Sequence, residues 1–343
     1  MHELLNVLYV QTQGAYLNLE SDTVRVVVEG ATKLRAPLLR LGGIVVFGQV
    51  SVSPFLVHRC AEDGRTLVWL GRNGRFKARV EGPTRGNVLL RRAQHLALSH
   101  PERPAQIARQ IVAAKIQNSR NVLLRAARES GDMGDRLVLA DAAAYVANIL
   151  RRLRTASDLD EIRGCEGDAA RTYFGVFGYM VRADRPTMAP DGRSRRPPRD
   201  PANALLSFLY ALLRAECSSA LEGVGLDPQV GFLHALRPGR PALALDLMEE
   251  LRPVLADRLA MTLINRRQVK QEDFEHSPGG GVQMTDEGRR TVIVAYQKRK
   301  EEEIRHRVLK QPVPLGLVPH VQARLLARHL RGDIKDYPPF LYR

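Results

Sequence analysis

The chain has 343 residues, 44% of them hydrophobic, which is enough for two ordinary domains with cores of their own and excludes an intrinsically disordered class. Lys and Arg number 52 against 37 Asp and Glu, a formal net charge of +15, so the field of the protein attracts polyanions, nucleic acid first among them. An arginine-rich proteome would give the same sign without such a partner. The start, MHELLNVLYV, has no basic stretch leading into a long apolar run. No segment approaches the ~18 apolar residues of a membrane helix, so a soluble cytoplasmic protein with no membrane partner is expected. Cys60, Cys165 and Cys217 are dispersed and form no CxxC pair, which reads as reduced structural thiols.

Along the chain, residues 1–85 read as a small β domain. Short β-branched runs at Leu5–Val10, Tyr16–Leu19, Val24–Val28, Ile44–Phe47, Thr66–Leu70 and Phe76–Val80 are separated by turn glycines at 14, 30, 48, 64, 71 and 74. Nothing in this block has a catalytic pattern. From residue 86 to 343 the spacing becomes helical, first at Arg91–Leu98, Pro104–Ser130 and Arg136–Leu153, so the fold class expected is α+β, a small β domain followed by a larger all-helical one. The stretch Arg182–Pro201 carries Pro186, Pro190, Pro197, Pro198 and Pro201 among its arginines. It predicts a basic loop between helices, either a solvated connector or a surface in which Arg193, Arg195 and Arg196 lie against a DNA backbone. A second loop around Ser277–Gly281 interrupts the C-terminal helices.

Three places depart from what a folded helix ordinarily tolerates. Glu166 shares a helical stripe with Ala169, Ala170, Tyr173, Phe177 and Met180 on a helix expected from Glu166 to Met180. A carboxylate on an apolar face must be protonated, bound to a cation, or paired, for example with Arg171 or Arg163. His234, in GFLHALRPG, sits at an element boundary, where a histidine is either a hydrogen-bonded structural residue or a ligand. The segment LALDLMEELRPVLAD projects Asp246, Glu249, Glu250 and Asp257 onto one side, opposite Leu247, Met248, Leu251, Val254, Leu255 and Leu259, and Pro253 should kink or restart the helix. Neighbouring like charges repel unless a cation sits between them, although a solvated acidic face would read the same way. Together, a Glu, a His and a second acid form a mixed O/N set suited to Mg²⁺ or Mn²⁺, and in so basic a protein such a site suits metal-assisted phosphodiester chemistry.

At these residues the sequence resembles the CRISPR-associated integrase and endonuclease family, the "Cas one" proteins, and is most similar to the members from type I-C loci. The resemblance runs through IVVFGQVSVSP and CAEDGRTLVWLGRNGRFKARV, then EGDAARTYF, PANALLSFLYALL, GLDPQVGFLHALRPGRPALALDLMEELRP and QARLLARHLRGDIKDYPPF. It implies a metal site for Mg²⁺ or Mn²⁺ made of Glu166, His234 and an acid of DLMEE, with Glu249 favoured and Asp246 assisting or substituting. Arg171, Tyr173, Asn203, Tyr210, Arg240 and Arg252 fall in the same blocks and are expected to orient ligands or bind phosphate. The resemblance also implies a homodimer formed through the β domains, a larger complex with the small "Cas two" subunit, and double-stranded DNA as partner, whose 3′-hydroxyl ends are joined to a CRISPR repeat by transesterification. The competing readings are a non-catalytic basic architectural DNA-binding protein, and a stand-alone metal-dependent DNase.

Overall fold

The computed structural model describes residues 6–72, 76–82, 88–277 and 279–342, so Leu5, the turn glycine Gly74 and Pro278 of the second loop lie outside the described residues. By contact density the chain divides into two compact units, Met1–Gly86 and Asn87–Arg343. In the first, β1 (Asn6–Val10), β5 (Leu41–Phe47), β7 (Thr66–Leu70) and β8 (Phe76–Arg79) form a mixed sheet in the order β1-β5-β7-β8. A second sheet runs β4-β3-β2-β6, from β2 (Tyr16–Glu20), β3 (Thr23–Val28), β4 (Ala31–Pro37) and β6 (Ser51–Val52). Leu17, Val24 and Val26 share one core with Ile44, Val46 and Leu67, and with Leu56 and Cys60 of helix α1 (Pro54–Asp63).

The two longest elements of this unit that the sequence reading lacked are β4 and α1. Strand β4 is an exposed edge strand, so it lacks the apolar alternation by which strands are recognised. Helix α1 is announced only by its ends: Ser53 Oγ accepts from Leu56 N at 3.3 Å, Pro54 opens the first turn, and Gly64 closes it at φ +67°, in the left-handed region.

The second unit is built on α2 (Val88–Ser99), α3 (Arg103–Glu129), α4 (Met133–Leu153), α5 (Leu159–Gly175), the short α6 (Arg185–Met188), α7 (Pro201–Gly223), α8 (Ala242–Glu249), α9 (Arg258–Asn265), α10 (Asp286–Glu301) and α11 (Val318–Arg331). The expectation of an all-helical unit is corrected by two small antiparallel hairpins, β9 (Phe274–His276) with β10 (Val282–Met284), and β11 (Glu303–Arg305) with β12 (Pro312–Pro314). The loop around Ser277–Gly281 is the connection of the first hairpin. The helix expected to reach Met180 stops at Gly175 and gives way to a 3-10 turn at Phe177–Met180. Among the described residues α7 alone is long and apolar enough to cross a membrane by length and composition, and its apolar positions are accounted for by burial in the core.

Helix α3 packs against α4, α5 and α8, which brings three elements that carry polar side chains onto one axis. The C-terminal segment then closes over α3 and α8 through side-chain hydrogen bonds. Asn118 Nδ2 donates to Glu250 O at 2.8 Å and Phe340 O at 2.9 Å, and Tyr342 N donates to Asn118 Oδ1 at 2.9 Å. Glu250 accepts from the Tyr337 hydroxyl and from Phe340 N, so this acid serves the fold and faces away from Glu249's partners. Asn118 is buried, so Asn118→Ala orphans three backbone groups at once. A loss of roughly 1–3 kcal/mol for each group left without a partner is expected in chemical denaturation. An unchanged midpoint would show that the C-terminal segment is not held this way.

Candidate functional site

Asp246, in the middle of α8, is fully buried and accepts four hydrogen bonds. Phe232 N and Leu233 N donate to Oδ2 at 2.6 and 3.0 Å, His234 N donates to Oδ1 at 3.0 Å, and the ring Nδ1 of His234 lies 2.7 Å from Oδ1. Four donors offset the cost of burying the carboxylate. They also tie the segment 231–234 to the helix. Gly231 is required there, because a Cβ would stand 2.7 Å from Ala242 C and 2.8 Å from Asp246 Oδ2. From the other side, Arg163 Nε of α5 donates to Leu233 O at 2.8 Å. Since a carboxylate can only accept, the imidazole donates through Nδ1 and presents Nε2 as the ligating nitrogen.

Nε2 lies 3.8 Å from Glu249 Oε1. Glu249 is almost wholly buried at the end of α8, with Arg252 Nη1 2.8 Å from the same Oε1 and Lys115 Nζ 2.6 Å from Oε2. Oε2 is a buried oxygen whose neighbour is the Lys115 ammonium. Lys115 Nζ also pairs closely with Glu166 Oε1 of α5. Burial alone would raise the Glu249 carboxyl, but Arg252, Lys115 and His234 outweigh it and hold the group below the usual carboxylate range.

Glu166 of α5 and Glu249 of α8 therefore share the Lys115 ammonium, and His234 of the 231–234 loop lies beside Glu249 on its other oxygen. Asp246 stands behind the histidine, in the position of a residue that orients a ligand. The partner of Glu166 is Lys115 of α3, not Arg171 or Arg163. The projection that put four acids on one side fails in the structure, because α8 is buried all round and Arg252–Asp257 is wound as a π-helix at Pro253. The acidic face is thus not solvated: Asp246, Glu249, Glu250 and Asp257 are all buried, each with its own set of partners. Two carboxylates and an imidazole suit a hard divalent cation such as Mg²⁺ or Mn²⁺. Among the described residues no three acid, histidine or cysteine side chains already stand in ligating positions, and the Lys115 ammonium lies between the two glutamates. By donor type the set fits such an ion, and the ammonium holds the position between the carboxylates.

Around this point lies a layer of stacked cations and rings. The Tyr210 ring has the guanidinium carbons of Arg252 at 4.9 Å and Arg193 at 5.5 Å, and its hydroxyl donates to Asp257 Oδ1 at 2.6 Å. Arg193 is anchored by Asn203 Oδ1 at 2.6 Å, so one arginine of the proline-rich stretch is drawn inward. Arg195 and Arg196 remain exposed, and with Arg199 and His276 they line a basin of about 830 Å³. Arg171 is exposed on α5, and Arg240 is half-buried in the loop before α8. Tyr173, expected near phosphate, is a core residue packed edge-on against Phe174 and Phe177, and cannot meet DNA directly. Arg252 is likewise a partner of Glu249 rather than a surface cation.

The family model described as CRISPR associated protein Cas1 matches residues 8–298. A curated relative, CRISPR-associated endonuclease Cas1 1 of Moorella thermoacetica, is 56% identical over 343 residues, covering 100% of both chains. In fold, the chain is similar to a casposase bound to integration product, with TM-score 0.83, 22% identity and coverage of 98% of this chain and 94% of that one. It is also similar to a chain of a Cas6-RT-Cas1–Cas2 complex, with TM-score 0.82, 23% identity and coverage of 97% and 36%.

Two outcomes test this geometry. Asp246→Asn should weaken Mn²⁺ binding by about 10–100-fold in calorimetry, as loss of a residue behind a metal-bound histidine does; full affinity would show that the histidine needs no such support. Burial raises the Asp257 carboxyl from 3.8 to about 6, more than its tyrosine and arginine neighbours lower it. The folded state therefore keeps a proton that the unfolded chain releases, and the cost grows as pH rises from about 4 through 6. Asp257→Asn should gain melting temperature relative to wild type over that interval, and a pH-independent difference would contradict the assignment.

Proposed function

This chain belongs to the Cas1 family of CRISPR-associated endonucleases, and from that premise we propose that it is a metal-dependent DNA integrase and endonuclease of CRISPR adaptation. What supports the reading is that Glu166 and Glu249 meet at one ammonium, while His234 Nε2 stands 3.8 Å from Glu249 Oε1 with Asp246 fixing the imidazole from behind. Glu166, Glu249 and His234 Nε2 would hold one Mg²⁺ or Mn²⁺, which supplies a Lewis acid for the phosphoryl oxygen and for the charge developing in phosphoryl transfer. Asp246 assists without ligating, since its oxygens are already committed to four donors.

The remaining chemistry belongs to the chain's own residues. Arg252, held on Tyr210, fixes Glu249 through Oε1 and leaves Oε2 directed at the cation position. Arg195, Arg196 and Arg240 would hold the phosphodiester backbone, with Arg171 at the margin, and set the line of attack. The 3′-hydroxyl of a bound DNA end attacks a phosphodiester of the repeat: one P–O bond forms, another breaks, and the departing oxygen takes a proton. With water as nucleophile the same arrangement cuts DNA.

Double-stranded DNA and the small Cas2 subunit are the proposed partners. The casposase named above is bound to an integration product and the complex named above contains Cas2, and both share this chain's fold. A homodimer through the β-rich unit and a place among type I-C proteins, both implied by the resemblance of the quoted blocks, complete the reading, with residence in the cytoplasm. A purified Glu166→Gln variant should lose strand joining by several orders of magnitude while binding DNA within about twofold of wild type, since the oxygen replaced would hold the cation rather than the DNA backbone. Joining at the wild-type rate would overturn the proposal.

A further inference from the structure

Lys115 has no place in the chemistry described so far, yet it occupies the middle of the site. It lies on α3 among Ile111, Val112, Ala114 and Ile116, and is buried with them. Its ammonium makes a close pair with Glu166 Oε1 and stands 2.6 Å from Glu249 Oε2. An ammonium taken out of water is costly unless carboxylates surround it, and two carboxylates facing one another repel unless a cation separates them. Each side of this arrangement thus stabilises the other, and the position between the glutamates is filled by a single positive charge.

We propose that Lys115 is a resident counter-cation that competes with the divalent metal for Glu166 and Glu249, keeping the two carboxylates assembled in the metal-free protein and withdrawing when the ion enters. The inference rests on the metal reading above. Two cations cannot share oxygens this close without strong repulsion, so ion entry and lysine withdrawal are one event. The neighbouring Arg252 is unsuited to such a move, because its planar group is held on Tyr210 and on Glu249 Oε1. A lysine has a compact charge on a flexible four-carbon stem, which can swing away without moving its helix.

The account is tested by Mn²⁺ titration calorimetry and thermal melting of wild type and Lys115→Gln, without DNA. Removal of the competitor should tighten Mn²⁺ binding by roughly tenfold or more. The same variant should melt lower than wild type without metal and recover on adding Mn²⁺, because the ion replaces the missing charge. Wild-type protein gives a measurement independent of any folding defect. Acetylation of Lys115 by acetic anhydride, read by mass spectrometry, should rise when Mn²⁺ binds. If wild type binds Mn²⁺ but Lys115→Gln binds no tighter and Lys115 acetylation does not rise, the lysine is only structural and the inference is overturned alone. If neither protein takes up Mn²⁺, the metal reading fails and carries the inference with it.

Discussion

A single buried carboxylate, that of Asp246, sets the geometry from which the rest of the site follows. Its two oxygens take three consecutive backbone amides and one imidazole nitrogen, and this converts an irregular loop into a fixed extension of α8. The bond to His234 Nδ1 selects which nitrogen is presented, and the bonds to Phe232 and Leu233 set where it is presented. Gly231 permits the close approach, and Arg163 braces the same loop from α5. Charge, backbone conformation and ring orientation are therefore one coupled arrangement, so a change in any member should be felt at the histidine.

Around that arrangement the protein handles a concentration of buried charge by alternating its sign. Glu166, Lys115, Glu249 and Arg252 follow one another in contact, and Arg252 continues through Tyr210 to Arg193 and Asp257. Lys115, Glu249 and Asp257 are buried and Glu166 is partly so, and each is compensated by its neighbours. In a chain of net charge +15 this places several carboxylates in one interior cluster, while exposed arginines such as Arg195 and Arg196 line an outer basin.

Much of this was legible in the amino-acid order, and what was not has physical reasons. Strands with apolar alternation and long helices of periodic leucine and alanine announce themselves, whereas β4 lies at an exposed edge and carries no such signal. Glu166 was recognisable as an anomaly on an apolar stripe, and His234 as a histidine at a boundary. The grouping of Asp246, Glu249, Glu250 and Asp257 was misread, because an ideal 3.6-residue projection assumes one helix with one wet side. This segment is buried throughout and rewinds as a π-helix after Glu250. The sequence did contain a sign of Lys115, a lone lysine inside the apolar run IVAAKI, but nothing in the sequence could tell which carboxylates it meets. The fold supplies that pairing by laying α3 against α5 and α8.

The most direct measurement is the anomalous difference density of Mn²⁺ in crystals of the wild-type protein. The account predicts one peak at ~2.0–2.6 Å from Glu166, Glu249 and His234 Nε2, with Asp246 still hydrogen-bonded to Nδ1 and outside the coordination sphere. A peak ligated by Asp246, or one lying elsewhere with the three side chains apart, would contradict it.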